Sequence, residues 1–386
     1  MSILGATGSI GQSTIDLIRR DPDAYEVVAL TGGRNVDQLA RDAKDLRASL
    51  AVIEDESLLP ALRDLLGGSG IETAAGTAAI AEAMHRPADW IMSAIVGTAG
   101  LAPGWAALEQ GTTLALANKE SLVTAGPILL AHARDCGATV LPVDSEHSAV
   151  FQALVGEDIA CVERIVITAS GGAFRDWPLA DLAGATLAQA SSHPNWAMGQ
   201  RITIDSASMF NKAMELIETK EFFGVRPDQI EAVIHPESLI HALVGFCDGA
   251  LMAHVGPPDM RHAIGFALNW PDRKHLPVER LDLAKVAALT FRAPEMARYP
   301  ALDLARIVMD EGGLAGAAFT AAKDAALDAF IAGDIGFTQM APVVDKVLTT
   351  MTSRDGLKNA RMTLDTVQQT DALARVRASE AIATLR

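Results

Sequence analysis

The chain has 386 residues, of which 49% are hydrophobic and 21% are charged. This composition excludes a disordered protein, and the length suggests two or three domains. The formal net charge of −16 excludes a general nucleic-acid-binding surface or an anionic-membrane-binding surface. Cys136, Cys161 and Cys247 lie far apart without Cys-x-x-Cys spacing, so we expect no disulfide framework, no zinc knuckle and a reducing cytoplasm.

One uncharged stretch, from Trp90 to Leu108, is nearly long enough to span a membrane. Glycines and Pro103 interrupt it, so we expect a buried strand followed by a helix, and no membrane partner. Met1 leads at once into a strand that ends at Leu4, so we also expect no signal peptide.

The N-terminal part of the chain alternates short apolar runs with amphipathic stretches. Strands are predicted at 3–4, 27–30, 50–53, 90–92, 113–116 and 139–143. Helices are predicted at 9–20, 36–47, 56–66, 77–85, 101–110 and 120–135. This βαβ alternation predicts a doubly wound parallel sheet.

The pattern changes after residue 145. Strands are predicted at 165–168 and 202–204, a helix at 206–217, and a hairpin at 241–256 with Asp248-Gly249 as a two-residue turn. A connecting segment at 274–296 precedes residues 297–386, where apolar residues recur at helical spacing and Asp365 with Gln368 marks the start of the last helix. We therefore expect an α+β domain followed by a helical bundle.

A glycine-rich segment, Gly5-Ala6-Thr7-Gly8-Ser9-Ile10-Gly11, joins the first strand to the first helix. Glycines at these positions permit a tight turn and let a pyrophosphate approach the helix N-terminus. The GxxGxxG spacing is a variant of the dinucleotide-binding fingerprint, and a merely tight strand–helix turn is the alternative. A Tyr-x-x-x-Lys pair, as sugar epimerases require, is missing, because Ala29 and Asp303 follow Tyr25 and Tyr299 at that spacing.

The second strand ends in Leu30-Thr31-Gly32-Gly33-Arg34-Asn35. An NAD-preferring site would carry a carboxylate here for the ribose, but Arg34 has no acidic neighbour in this stretch and can pair with a 2′-phosphate. The stretch predicts NADPH as the cofactor, with a solvated surface arginine as the alternative.

Two carboxylates follow the strand at 139–143. Asp144 and Glu146 would point to the same side of an extended segment, where they repel unless a proton or a cation lies between them. Hard oxygen ligands suit Mg²⁺ or Mn²⁺. Glu215 is the candidate third carboxylate, because Asn211 and Lys212 share its helix flank. The alternatives are an ordinary surface turn and a solvent-exposed ion pair between Lys212 and Glu215.

Further polar residues lie where predicted strands end. Ser170 stands in a glycine-rich turn that can hold phosphate oxygens, and Ser206 lies at the predicted start of its helix, where capping is the alternative role. Asn118-Lys119-Glu120 follow the strand at 113–116, a position where a lone lysine is usually solvated. The loop at 191–199, which contains Trp196, is either a lid over a ligand or an ordered core loop.

These motifs together resemble those of the 1-deoxy-D-xylulose-5-phosphate reductoisomerases. The matching segments, in family order, are Gly5–Gly11, Ala117–Leu122, Pro142–His147, Ala169–Gly172, His193–Gly199, Asp205–Lys212, His235–Ser238 and Gly256–Met260. Ala6 and Arg34 replace a common Ser and Lys of the family, which we expect to matter little.

The resemblance implies a set of site residues. It implies that the metal is held by Asp144, Glu146 and Glu215, and that catalysis involves Lys119, Glu146 and His193. The implied substrate-binding residues are Lys119, Ser145, Glu146, Ser170, His193, Trp196, Ser206, Asn211, Lys212 and Glu215. The implied NADPH contacts are Thr7, Gly8, Ser9, Ile10, Gly33, Arg34, Asn35, Asn118, Glu120 and Gly199.

The resemblance also implies a fold and a reaction. The fold is α/β, with a Rossmann-like doubly wound NADPH-binding domain at 1–144, a central α+β catalytic domain at 145–273 with a lid at 191–199, a linker at 274–296 and a C-terminal helical bundle at 297–386. The reaction is the NADPH-dependent rearrangement and reduction of 1-deoxy-D-xylulose 5-phosphate to 2-C-methyl-D-erythritol 4-phosphate, a step of non-mevalonate isoprenoid biosynthesis. It needs Mn²⁺ or Mg²⁺, with Co²⁺ as a further option, and the implied assembly is a homodimer.

Two other functions remain open at this point. One is an NADPH oxidoreductase acting on another sugar phosphate. The other is a non-catalytic NADPH-sensing protein, which would not need three converging carboxylates and a hydroxyl-rich phosphate pocket.

Overall fold

The computed structural model describes residues 1–196, 198–358 and 360–385, without the side chains of 354 and 355. Its strands are β1 (Ser2–Leu4), β2 (Ala29–Gly32), β3 (Leu50–Ile53), β4 (Glu72–Ala75), β5 (Trp90–Ser93), β6 (Thr113–Leu116), β7 (Thr139–Pro142), β8 (Val162–Ala169), β9 (Ile230–Ile234), β10 (Ile240–Phe246) and β11 (Leu251–Val255). Its helices are α1 (Ser9–Arg19), α2 (Val36–Asp45), α3 (Leu59–Leu66), α4 (Thr77–Ala83), α5 (Leu101–Leu108), α6 (Lys119–Asp135), α7 (Ser145–Ala153), α8 (Leu187–Ala190), α9 (Gln200–Ala207), α10 (Phe210–Phe223), α11 (Arg261–Asn269), α12 (Leu283–Val286), α13 (Ala301–Glu311), α14 (Ala315–Ala332), α15 (Met340–Asp355) and α16 (Leu364–Ala383).

The chain forms two compact units. The first comprises Met1–Ser121, Leu129–Ser148 and Asp259–Glu279. The second comprises Leu122–Ile128, Ala149–Pro258 and Arg280–Arg386. Within the described residues, no helix is both long enough and apolar enough to cross a bilayer.

The first unit is built on a seven-stranded sheet in the order β4-β3-β2-β1-β5-β6-β7, and every neighbouring pair is parallel. Strands β1, β2, β3 and β5 are buried along their whole length, as expected for a sheet covered by helices on both faces. Helix α11 belongs to this unit although it comes late in the chain. The indole of Trp90 donates a hydrogen bond to the carbonyl oxygen of Ala267 (3.0 Å), and Arg261 pairs with Asp16 (3.2 Å).

The second unit combines a mixed sheet with helices. The sheet order is β11-β10-β8-β9, in which β8 and β9 are parallel and the other pairs are antiparallel. Helices α13–α16 follow, and α14 packs against both α15 and α16. The predicted fold class, with its doubly wound sheet, α+β part and helical C-terminal part, is thus confirmed.

Several local predictions are wrong. Residues 202–204 form part of helix α9 and not a strand, because Ile204 is fully buried in a helix that packs against α10 and α14, and this packing overrides the β-propensity of the Ile-Thr-Ile run. Strands β4 and β9 were not predicted. The hairpin connection is longer than two residues, and the last helix is capped by Thr363 and not by Asp365.

Candidate active site

The glycine-rich loop lies where the strand order of the sheet reverses, between β1 and β5. Gly5 has a φ of +77°, and a Cβ there would lie 2.5 Å from the carbonyl oxygen of Ala94. A Cβ on Gly11 would overlap the carbonyl oxygens of Gly5 and Ala6, so only glycine fits at both positions. Gly8 is the N-cap of α1, which leaves the first N–H groups of the helix available to an anion. This close-packed cradle fits a dinucleotide pyrophosphate.

The buried carboxylate of Asp42 is linked to the glycine-rich loop through Gln12. Gln12 donates hydrogen bonds to the carbonyl oxygen of Ala6 (2.9 Å) and to Asp42 (2.6 Å), and Arg19 pairs with the other oxygen of Asp42 at 2.7 Å. Asp42 is completely buried. Sequence reasoning missed this support, because α2, which carries Asp42, is brought against α1 only by the fold.

The segment after β2 places Arg34 on the surface, where 84% of its side chain is exposed. Asn35 caps α2 by accepting a hydrogen bond from the Gln38 N–H (3.2 Å). Arg34 pairs with Asp55, which follows β3, at 3.3 Å. No acidic residue lies near Arg34 within the β2 stretch itself, as expected. The folded chain nevertheless brings Asp55 next to it, because β3 lies beside β2.

Asn118 joins the ends of two neighbouring strands. Its Nδ2 donates to the carbonyl oxygens of Ile95 (2.7 Å) and Gly97 (2.8 Å) after β5, and to Glu120 (2.9 Å), while its Oδ1 accepts the Ser121 N–H (3.0 Å) as the N-cap of α6. The side chain is nearly fully buried. Asn118 thus fixes the loop beside the candidate cofactor cradle, at the carboxyl edge where such sheets bind ligands.

A compact ionic cluster surrounds Asp144. Lys119 pairs with it at 2.9 Å, and the two side chains are only 10% and 12% exposed, so Lys119 is not the solvated lysine of the alternative. His147 Nδ1 lies 3.6 Å from the same carboxylate. Burial alone would raise the pKa of Asp144, but Lys119 and His147 outweigh it and hold that pKa well below its usual range. Asp144 is therefore ionised at neutral pH.

Glu146 lies in a helix, and the expected extended segment is wrong. Helix α7 begins at Ser145, and the Asp144 carboxylate accepts the Glu146 N–H at 3.3 Å, so Asp144 caps the helix. Ser145 donates its hydroxyl to Glu146 at 2.5 Å. The carboxylates of Asp144 and Glu146 still lie within one helical turn of each other. Ser145 donates a neutral hydrogen bond to Glu146, and Lys119 forms an ion pair with Asp144.

Glu215 is held by two residues of its own helix. Lys212 forms a close ion pair with one carboxylate oxygen, and Asn211 donates to the other at 2.6 Å. The side chains of Glu215 and Lys212 are 1% and 4% exposed, so the alternative interpretation of a solvent-exposed ion pair is wrong. Met209, at a φ of +64°, separates α9 from α10 and is the N-cap residue of α10.

The turn after β8 forms a small polar cradle in the second unit. Gly171 and Gly172 have φ values of +85° and +67°, and a Cβ on Gly172 would lie 2.5 Å from the Cα of Ala207 in α9. The turn therefore packs directly on the last turn of α9, which carries Ser206. The expectation that Ser206 lies at the start of a helix is wrong. Its hydroxyl donates to the carbonyl oxygen of Ile202 (2.9 Å), one turn earlier in α9.

His193 is fixed as a neutral hydrogen-bond donor to Ser170. Its Nδ1 accepts the backbone N–H groups of Asn195 (3.1 Å) and Trp196 (2.9 Å), and its Nε2 lies 2.9 Å from Ser170 Oγ. Burial, helped by Arg175, lowers the pKa of His193 to about 4. A neutral imidazole with Nδ1 as acceptor carries its proton on Nε2, so it donates to Ser170.

Ser170 Oγ consequently accepts two hydrogen bonds. One comes from His193, and the other comes from the Gly172 N–H at 3.1 Å. Because Ser170 Oγ accepts these two bonds, its own proton can be donated to an anionic oxygen. Arg175, which sequence reasoning missed, donates to the Ser170 carbonyl oxygen at 2.7 Å and adds positive charge to this cradle.

The loop around Trp196 is anchored at Asn195. The Asn195 amide donates to the carbonyl oxygen of Pro236 (2.6 Å) and to Ser238 Oγ (2.8 Å). Trp196 is half-buried, and its ring centroid lies 6.3 Å from that of His241. Ala197, within the predicted lid, lies outside the described residues, and Gly199 is the exposed N-cap of α9.

Comparison with known proteins identifies the family. The sequence profile described as 1-deoxy-D-xylulose 5-phosphate reductoisomerase matches residues 1–126, and two profiles for the C-terminal domains of this enzyme match residues 140–223 and 255–377. The chain belongs to the 1-deoxy-D-xylulose 5-phosphate reductoisomerase family. The resemblance predicted from the motifs is therefore confirmed.

Members of the family resemble the chain over nearly its whole length. The reductoisomerase of Jannaschia sp. (strain CCS1) is 70% identical over 383 residues, which are 99% of this chain and 98% of that protein. The solved structure of the Zymomonas mobilis enzyme in complex with NADPH is 45% identical, with a TM-score of 0.92 and coverage of 99% and 98% of the two chains. A structure of DOX-P reductoisomerase with NADPH, fosmidomycin and magnesium is 36% identical, with a TM-score of 0.93 and coverage of 100% and 98%.

Proposed function

We propose that this protein catalyses the NADPH- and divalent-metal-dependent conversion of 1-deoxy-D-xylulose 5-phosphate to 2-C-methyl-D-erythritol 4-phosphate, in non-mevalonate isoprenoid biosynthesis. The observation that carries the proposal is full-length similarity to proteins of that name, up to 70% identity. The glycine cradle, the carboxylate clusters and the serine–histidine cradle support it, because this reaction needs a dinucleotide, a cation and a phosphate site. A protein that only senses NADPH would need the first of these alone.

NADPH supplies the hydride when it is bound. We propose that its pyrophosphate lies on the N-terminus of α1, against Thr7, Gly8, Ser9 and Ile10, where the Cβ-free loop admits close approach. The remaining proposed contacts are Gly33, Arg34, Asn35, Asn118, Glu120 and Gly199. Arg34 is exposed enough to turn from Asp55 to a 2′-phosphate.

We propose that Asp144, Glu146 and Glu215 hold the cation, Mg²⁺ or Mn²⁺. Their carboxylates are hard oxygen donors, which suits either ion, and a relative was solved with magnesium. When bound, such a cation polarises the hydroxyl and carbonyl oxygens of the substrate and stabilises the negative charge that develops during rearrangement. Lys119 and Lys212 each pair with one of these carboxylates and limit the repulsion among them.

The same lysines and their neighbours have roles toward the substrate. We propose that Lys119, Ser145 and Glu146 contact the reacting oxygens, and that Lys119 and Glu146 move or hold protons there. Ser170, Ser206, Asn211 and Lys212 bind the phosphate, with His193 nearby, and Glu215 is a further substrate-binding residue. The hydroxyl proton of Ser170, set by His193, donates to a phosphate oxygen.

The loop at 191–199 is proposed to close over the substrate. Asn195 ties one part of the loop to the main chain at Pro236, while Trp196 supplies a broad apolar surface. Closure would exclude water from the reacting carbons while the hydride is transferred. His193 takes part in catalysis in this proposal by fixing both Ser170 and the backbone before Trp196.

We further propose a cytoplasmic homodimer, with cofactor binding at 1–144, catalysis at 145–273, a linker at 274–296 and helical support at 297–386. The free cysteines suit a reducing compartment. Strand β11 is at the edge of its sheet and exposes Leu251, Met252 and Val255 by 50%, 37% and 43%, so a second β11 can extend the sheet. Light scattering should give twice the chain mass, and Met252→Lys should shift the protein toward monomer.

The deciding experiment follows NADPH absorbance with 1-deoxy-D-xylulose 5-phosphate, with and without Mn²⁺, and identifies the product by NMR. We expect metal-dependent oxidation of NADPH and a branched polyol phosphate. A different product would indicate another oxidoreductase. Absence of turnover with every sugar phosphate tested, together with tight NADPH binding, would indicate a sensor.

A further inference from the structure

Two cysteines that are distant in sequence face each other in the second unit. Cys161 immediately precedes β8 and Cys247 immediately follows β10, and these strands are antiparallel neighbours with Val162 opposite Phe246. The Cys247 N–H donates to the Cys161 carbonyl oxygen at 2.9 Å, which extends the pairing by one residue. Their separation in the chain hid this relationship from the sequence, where no disulfide was expected.

The geometry and exposure of the pair suit disulfide chemistry. The backbone hydrogen bond between them is one-way, because the Cys161 N–H donates to the carbonyl oxygen of Asp158 (2.9 Å). Residues opposite each other on antiparallel strands have Cα atoms about 4.5–5.5 Å apart, within the range of about 4.4–6.8 Å that disulfides occupy. Both cysteines are exposed and reduced. Proximity of Cys247, then slight burial and a hydrogen bond between the two side chains, raise the pKa of the Cys161 thiol.

We propose that Cys161 and Cys247 are a dithiol pair that low-molecular-weight disulfides, such as oxidised glutathione, convert reversibly to an intramolecular disulfide. The Cys247 thiolate attacks the small disulfide and expels one thiolate, which leaves a mixed disulfide on Cys247. Cys161 then loses its proton to solvent and attacks the Cys247 sulfur, and the second small thiolate leaves. The protein loses two electrons and two protons, and the small disulfide is reduced to two thiols.

The exchange balances equally with Cys161 as the attacking residue, and the disulfide formed is the same in either order. The new bond would lie at the opposite end of β8 from Ser170, about 30 Å away along an eight-residue strand and the residues that flank it. We therefore expect oxidation to leave the phosphate cradle unchanged. Its effect is on stability, because the bond closes a long loop of the unfolded chain.

The test uses the full-length protein incubated with excess oxidised glutathione, then alkylated and analysed by intact mass and non-reducing peptide mapping. We expect a loss of about two hydrogen masses, a peptide joining Cys161 to Cys247, and reversal by dithiothreitol. Cys161→Ser should instead retain one glutathione on Cys247. Cys136→Ser is the matched control and should behave like the parent, because Cys136 is half-buried and contacts the His132 ring at 3.8 Å.

Melting measurements test the consequence. The oxidised parent protein should melt on the order of 5–10 °C higher than the reduced form, with NADPH turnover changed less than twofold. Stable glutathione adducts on both cysteines of the parent protein, or no modification of either, would overturn the dithiol pair. A crosslinked protein with an unchanged melting temperature would overturn the stabilising role.

Discussion

The Nε2 atom of His193 lies 2.9 Å from the hydroxyl oxygen of Ser170, and the backbone around Trp196 fixes the other ring nitrogen as an acceptor. One imidazole thus connects the proposed phosphate cradle to the proposed lid. Because burial and Arg175 lower the pKa of His193 to about 4, the connection is made by the neutral ring.

This depressed pKa predicts a pH effect on folding. The unfolded chain binds a proton at His193 near pH 6.5, whereas the folded chain binds it only near pH 4. The contribution of His193 to stability is therefore fully present above about pH 6.5 and is lost as the pH falls toward 4. Urea unfolding at pH 7 and pH 5 should show a larger loss for the parent protein than for His193→Asn. An equal loss in both would contradict the assignment.

Cofactor preference should depend on Arg34 and Asp55 together. We expect NADPH to be preferred over NADH in kcat/KM, and Arg34→Asp to narrow the gap, since a charge-assisted phosphate contact contributes about 1.5–3 kcal/mol, or one to two decades. Asp55→Asn should widen the gap, because it frees Arg34 from its 3.3 Å partner. Direct titration of NADPH and NADH binding would check both, with Arg63→Asp, on the surface of α3, as the control. Equal use of the two cofactors by the parent enzyme would refute the role of Arg34.

Arg34 and Asp55 illustrate which features could be predicted from the sequence and which could not. The βαβ alternation and the glycine loop were predicted correctly because each depends on neighbours within one helix or strand. The pairing of Arg34 with Asp55 and of Cys161 with Cys247 depends on which strands lie side by side, which local patterns do not reveal. Residues 202–204 were assigned wrongly for the same reason, since burial of Ile204 in α9 prevailed over local propensity.

The proposed metal site predicts that EDTA abolishes turnover and that Mg²⁺ or Mn²⁺ restores it. Glu146→Gln and Glu215→Gln should each lower kcat steeply, because glutamine has nearly the same size as glutamate but lacks the negative charge that binds the cation. Glu215→Gln also removes the charge that pairs with buried Lys212, and removing one partner of such a pair costs about 3–5 kcal/mol of stability. Circular dichroism must therefore accompany its assay, whereas half-buried Glu146 is the cleaner variant. Full activity in chelator would exclude the site.

A buried ion pair behind Ser206 should control substrate affinity. Lys323 of α14 pairs with Asp205 at 3.1 Å, and their side chains are 3% and 10% exposed. Lys323→Met removes the lysine partner of Asp205 and also of Asp324, which Lys323 contacts at 2.8 Å. We therefore expect a loss of stability of about 3–5 kcal/mol and a rise in KM that exceeds the fall in kcat. The double variant Asp205→Leu/Lys323→Met should recover much of the stability without restoring KM. The exposed pair of Lys285 with Asp282 is the control, and Lys285→Met should change neither quantity. A normal KM in a destabilised Lys323→Met protein would show that the pair supports the fold alone.

The proposed lid at 191–199 is either a mobile cover over the substrate or part of the core, and Trp196 distinguishes the two. Trp196 is half-buried, its backbone N–H donates to His193, and its ring approaches His241, so Trp196 itself has a defined position. Fixing a backbone segment over a ligand costs about 1–2 kcal/mol for each residue ordered, and contacts of the indole with bound substrate must offset this cost. Trp196→Ala should therefore lower kcat/KM strongly while the melting temperature changes little. Limited proteolysis within 191–199 should be fast in the free enzyme and slow with NADPH and a phosphonate mimic of the substrate. Equal protection in both conditions, with a large drop in melting temperature for Trp196→Ala, would mean that the tryptophan belongs to the core and that the loop does not close.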